Sequence, residues 1–138
     1  RTGIDRGEVV LMGRSLGGGV AVQLAATRGA RGLVLDRTFT SLPDIAASRY
    51  WWVPVYLLMR NRFDSLSRIG RYHGPLLQCH GTTDNIVDLK NGKRLFEAAP
   101  SEHKRFVEMP GVGHNDPGTT DYYHELTDFL ENLPSRSP

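Results

Sequence analysis

Among 138 residues there is a single cysteine, Cys79. One thiol excludes an internal disulfide framework and suits a reducing compartment. Neither sign of charge dominates: 17 Lys and Arg stand against 15 Asp and Glu, a formal net charge of +2. So close a balance excludes the electrostatic grip on nucleic acid or anionic membrane that a basic patch gives. No apolar run approaches the roughly 18 residues of a membrane span. No Cys/His cluster has metal-ligand spacing, so no metal is expected. Repeats and low-complexity tracts are missing too. What these absences leave is one domain over residues 1–138, long enough to bury a core. The chain opens on Arg1 rather than Met, so we expect a piece of a longer protein, with any targeting signal lying upstream.

Short apolar runs alternate with helix-spaced segments. Glu8–Met12 reads as a buried strand and Leu16–Arg28 as a helix, with Val20, Leu24 and several alanines facing a sheet and Gly29 as its stop. Gly32–Asp36 and Gly74–Gly81 read as further strands. Asp88–Ala99 has helical spacing, with Asp88 as N-cap and Pro100 just past the end. Lys104–Met109 is a fourth strand, and a last helix runs from about Asp121 to Leu133, with Tyr122, Leu126, Phe129, Leu130 and Leu133 on one face. This alternation predicts an α/β fold, a parallel sheet of about four strands flanked by helices.

One connection is far too long for an ordinary α/β link of roughly 2–6 residues. It runs from about 41 to 73 and contains Tyr50–Met59, the most apolar stretch of the chain. A crossover helix buried against the sheet fits it first. A cap over an active site and an interfacial membrane contact are the alternatives.

The first strand leads into Gly13-x-Ser15-x-Gly17, the pattern of a nucleophile elbow. There a serine sits on a strained strand-to-helix turn, and side chains in place of either glycine would collide with neighbours. Alone, the pattern arises by chance in roughly one chain of this size in twenty. Its weight depends on partners, and in parallel sheets functional groups collect beyond the C-terminal ends of strands. Those ends carry Ser15, Asp36, Asp84 and His114. A serine hydroxyl needs a base, and the base needs a carboxylate to hold its tautomer; Ser…Asp…His is the chain order that goes with such an elbow. Of five histidines, His114 is best placed, in the Gly-rich loop Pro110–Pro117. His80, ending an apolar strand, reads as a hydrogen-bonded packing residue, and His73, His103 and His124 as solvated ones. Two carboxylates can serve as the acid, Asp84 ahead of Asp36. The backbone N–H of Leu16, next after the nucleophile, is the expected oxyanion donor. A nucleotide-binding reading of Gly17-Gly18-Gly19 fails on spacing: Gly19 stands where a P-loop needs Lys, and no Gly-x-Gly-x-x-Gly occurs. No cofactor is implied.

Several segments together resemble the α/β-hydrolase superfamily, and within it the Bem46-like branch. They are Gly13–Gly19, Thr38–Asp44, Asp64-Ser65, His80-Gly81-x-x-Asp84-x-Ile86-Val87, Leu95–Pro100 and Pro110–Asp116. The resemblance spans roughly residues 3–133. It implies Ser15 as nucleophile, Asp84 as acid, His114 as base, and the C-terminal half of an α/β-hydrolase fold, from its fifth strand onward. It also implies that the loop giving a second oxyanion N–H lies outside this chain, and that the first strand here ends up at a sheet edge. The function expected is hydrolysis of a carboxylic ester or thioester through an acyl-enzyme on Ser15, with a small-molecule or acyl substrate. A peptidase or amidase of the same fold, or a non-catalytic binding module, are the alternatives. Relatives often carry an N-terminal membrane segment, so membrane association would come only from residues upstream of Arg1. That leaves the compartment open between cytoplasmic and membrane-anchored, and the oligomeric state open as well. The 138 residues alone are expected to be poorly stable and close to inactive.

Overall fold

Four parallel strands lie side by side in chain order in a computed structural model that describes residues 6–41, 43, 44, 46 and 64–134. They are β1 (Val10–Arg14), β2 (Gly32–Asp36), β3 (Leu76–Gly81) and β4 (Lys104–Met109). Between and after them run α1 (Leu16–Arg28), α2 (Ser65–Ile69), α3 (Leu89–Ala98) and α4 (Thr120–Glu131). The apolar stretch Tyr50–Met59, and with it most of the long connection, lies outside the described residues.

Register follows from burial. Every residue of β2 and β3 is buried, as their near-continuous apolar sequences require of strands covered on both faces. β1 and β4 each carry exposed and half-buried positions and form the two edges of the sheet among the described residues. On one face Ala21, Val22 and Ala25 of α1 pack with Leu33, Leu35, Ile69, Tyr72, Leu76 and Leu95. Leu33, Leu35, Ile69, Leu76 and Leu95 are wholly removed from water, each stabilising by roughly 1.5–3 kcal/mol. On the other face Cys79, Met109 and Val112 meet Tyr122 of α4.

The helix ends carry the expected chemistry. Asp88 accepts the Lys90 N–H at the start of α3, Thr119 accepts that of Tyr122 at the start of α4, and Gly29 closes α1 at φ 74°. Two expectations are corrected. The sheet-facing side of α1 is Gly18, Gly19, Ala21, Val22 and Ala25, whereas Val20 and Leu24 are 48% and 42% exposed. Residues 18, 21, 22 and 25 share one helical stripe, and 16, 20 and 24 lie on another. In α4, Leu130 is likewise turned outward, while Tyr122 and the following Leu133 are buried.

Candidate active site

β1 stops at Arg14, and the next residue takes a backbone conformation few side chains tolerate. Ser15 has φ 51° and ψ −121°, in the left-handed half of conformational space. Three bonds hold it there. Its N–H donates to the Asp36 carbonyl at 3.0 Å, and its own carbonyl accepts from Gly18 N–H and from Thr38 Oγ1 at 2.8 Å. The turn is tight at Gly13, where a Cβ would sit 2.4 Å from the Gly17 carbonyl oxygen. The expectation for Gly17 is corrected: a Cβ there meets nothing within 4 Å among the described residues. Close packing falls on Gly18 instead, where a Cβ would lie 2.1 Å from Thr38 Oγ1.

β3 ends at Gly81, and the following turn presents Asp84. One carboxylate oxygen, Oδ1, accepts the backbone N–H groups of Ile86 and Val87, both at 2.9 Å, which fixes the plane of the group. The other, Oδ2, lies 2.8 Å from His114 Nδ1. Across the ring, His114 Nε2 is 3.0 Å from Ser15 Oγ. The carboxylate requires a proton on Nδ1, which leaves Nε2 free to accept from the serine hydroxyl. Asp84 and His114 are both nearly buried, while Ser15 stays partly open to solvent. Ser15, Asp84 and His114, chosen from three different strand ends, thus converge on one line of hydrogen bonds.

The loop bearing His114 is stitched to the Asp84 turn. Thr83 N–H donates to the Val112 carbonyl and Gly111 N–H to Thr82 Oγ1. A Cβ on Gly81 would come within 2.0 Å of the Val112 carbonyl oxygen, so only glycine permits that approach. Leu16 opens α1, and its N–H belongs to the first turn, whose donors have no intrahelical acceptor.

The remaining candidates fall elsewhere. Asp36 is not the partner of His114. Its oxygens take the Arg37 guanidinium in a two-pronged pair, Nε to Oδ1 at 2.7 Å and Nη2 to Oδ2 at 3.0 Å, and Cys79 Sγ lies 3.3 Å from Oδ1. His80 is wholly buried; its Nε2–H donates to the Val87 carbonyl at 2.8 Å, and burial pushes its pKa below the usual histidine value. Burial, with the Asp36 charge beside it, pushes the Cys79 thiol well above its ordinary range, so it stays protonated. His73, His103 and His124 are exposed. Arg14 and Arg37 escape a reading of the sequence altogether. Both reach the His114 loop, with Arg14 Nη2 donating to the His114 carbonyl at 2.7 Å and Arg37 Nη1 to the carbonyls of Gly113 and Asp116. Those partners lie 76 to 100 residues away, so no local pattern signals them.

No family model matches the chain. It is 42% identical over 118 residues to an uncharacterized protein of Mycobacterium tuberculosis, covering 86% of this chain and 42% of that one. It is 30% identical to protein bem46 of Schizosaccharomyces pombe, covering 95% of this chain and 46% of that protein. To the alpha/beta hydrolase domain-containing protein aho-3 of Caenorhabditis elegans it is 28% identical, over 94% and 38%. The chain therefore spans less than half the length of these relatives. Among solved structures, acetyl xylan esterase 1 from Thermoanaerobacterium superposes with a TM-score of 0.74 at 22% identity, covering 96% of this chain and 47% of that one. The acylaminoacyl peptidase of Pyrococcus horikoshii superposes at 0.78 and 14% identity, covering 94% and 24%. At such identities the likeness speaks to the fold.

Proposed function

From the chain's membership of the α/β-hydrolase superfamily, where its relatives include Bem46, we propose that it carries the catalytic trio of a serine hydrolase acting on a carboxylic ester or thioester. The observation behind this reading is the unbroken path from Ser15 Oγ through the His114 ring to Asp84, at 3.0 and 2.8 Å. In the proposed reaction Ser15 Oγ attacks the acyl carbonyl while its proton passes to His114 Nε2. Asp84 stabilises the imidazolium through the Nδ1–H bond and holds the ring in orientation. The carbonyl oxygen, now an anion, takes the Leu16 N–H at the positive end of α1. His114 then returns the proton to the leaving alcohol or thiol, which departs and leaves an ester on Ser15. Water, deprotonated by His114, attacks that ester; the acid is released and the serine regains its proton.

Labelling of the full-length protein with a fluorophosphonate probe tests the nucleophile. We expect stoichiometric labelling that disappears in Ser15→Ala; labelling that survives this change rules Ser15 out. Parallel assays on p-nitrophenyl esters and aminoacyl amides separate ester from amide cleavage. A labelled protein that turns over only the amides assigns it to the peptidase reading.

A further inference from the structure

We propose that Arg37, aimed by Asp36 and assisted by Arg14, is the positioning residue that holds the His114 loop at the distance Ser15 requires. The inference deepens the serine-hydrolase reading and rests on it.

The argument begins with three carbonyl oxygens. Those of Gly113, His114 and Asp116 meet side chains from the ends of β1 and β2, and each takes its donor from an arginine. Arg37 Nη1 serves two of them, at 2.9 and 2.6 Å, and Arg14 Nη2 serves the third at 2.7 Å. Bonds from a charged donor are roughly twice as strong as neutral ones, so the loop is tied at both flanks of the imidazole and at His114 itself. The stitches to the Asp84 turn hold residues 111 and 112; the arginines hold the part that carries the ring.

The guanidinium of Arg37 cannot swing. Its other nitrogens, Nε and Nη2, are engaged by both oxygens of Asp36, and a two-pronged pair fixes a plane as well as a position. Arg14 stands beside the same carboxylate, with Nε 3.6 Å from Oδ2, because it pairs with Asp36 in the β1–β2 register. Asp36 also accepts the Ser15 N–H through its main-chain carbonyl. One residue thus sets both ends of the Ser15–His114 bond: the serine through its backbone, the histidine through the arginine its carboxylate aims.

Stability does not account for this arrangement. Arg37 is 2% exposed and holds φ 47° without being glycine. Backbone strain of that kind is destabilising, and a buried ion pair is generally no more stabilising than apolar residues of similar volume. A strained, desolvated arginine makes sense if its geometry is what matters.

The test uses the full-length protein with Arg37→Met, Arg37→Lys and Arg14→Met. Competent sites are counted by fluorophosphonate titration, and kcat and KM for a p-nitrophenyl ester are expressed per counted site. Arg37→Met is expected to lose about ten- to a hundredfold in kcat per site, with KM within about twofold of the parent. Arg37→Lys, which keeps the charge but not the fork, should fall between, and Arg14→Met should lose about three- to tenfold. A purely structural role would lower the number of titratable sites and leave kcat per site unchanged; that result overturns the proposal. Should Arg37→Met yield no folded protein, Arg14→Met, whose side chain is about half exposed, decides on the same criterion. If the parent protein itself takes no label, the hydrolase reading falls and this proposal with it. A labelled parent with unchanged variants removes the proposal alone.

Discussion

The hydrogen bonds from Ser15 Oγ to His114 Nε2 and from His114 Nδ1 to Asp84 Oδ2, at 3.0 and 2.8 Å, join three residues that each stand where a local rule marks them: an elbow motif, or a position just beyond a strand. Asp36 obeys the same rule, and only the structure shows that it does not meet His114. Its oxygens are already taken by Arg37. The arginines were illegible because their partners are main-chain carbonyls far along the chain, and a carbonyl has no residue type to recognise. His80, four residues before Asp84, supports a prediction about pH. Burial lowers its pKa from the ordinary 6.5. Above that value the ring is neutral whether the chain is folded or not. Below it the unfolded ring takes up a proton that the buried ring refuses, so stability falls as pH drops from about 6.5 towards the lowered folded value. Urea unfolding of the full-length protein should show this as a slope of up to about 1.4 kcal/mol per pH unit. His80→Gln should be less stable at pH 7 yet flatter between pH 6.5 and 5. Parallel curves for the two proteins would refute the assignment.

Element boundaries divide by the kind of signal that marks them. Helix ends with a chemical cap were readable: Asp88 before α3 and Gly29 after α1 stand where expected. Strand ends were less so. The sequence predicts the first strand over Glu8–Met12, whereas β1 runs from Val10 to Arg14 and Glu8 lies in a short 3-10 turn. Gly13 and Arg14 look like turn residues, yet they pair with Leu35 and Asp36 because the neighbouring strand offers both partners. The third strand likewise begins at Leu76 rather than Gly74. Caps are local bonds, whereas strand limits depend on a neighbour absent from any sequence window. The cap on α3 supports a measurable expectation. Asp88→Ala should cost about 1 kcal/mol at pH 7 and Asp88→Asn much less. The hydrogen bond from the Lys90 N–H holds the Asp88 pKa below its usual value. Its contribution is therefore present above the ordinary aspartate value and lost as pH falls through the lowered one. A chemical-denaturation midpoint that does not move in Asp88→Ala at pH 7 would contradict it.

At the scale of the whole molecule, burial is lopsided. β2 and β3 are fully enclosed, but β1 is an edge, and beside it Met12, Leu16, Val20 and Leu24 are 58%, 55%, 48% and 42% exposed. α1 is therefore apolar on two sides, one meeting the sheet and one meeting solvent. An open strand edge flanked by apolar side chains is a template for pairing with another chain. Residues 1–138 produced alone are expected to self-associate at micromolar concentration, and Met12→Lys combined with Val20→Lys should reduce that association. Sedimentation velocity reads both; a monodisperse monomer of the unaltered chain would refute the expectation. A parallel sheet of about four strands flanked by helices was legible from strand–helix alternation alone, whereas the second apolar side of α1 was not, because helical periodicity gives faces without saying which one a sheet covers.

The 99 residues separating Ser15 from the ring of His114 also carry a meaning in time. At roughly 5–20 residues per second, a ribosome delivers the serine on the order of 5–20 s before His114. Throughout that interval the elbow can form from its own neighbours while its hydroxyl remains chemically inert. Acquisition of reactivity towards a fluorophosphonate would then date the docking of the His114 loop. Ser15 would gain that reactivity only after the His114 ring has been made and brought beside it.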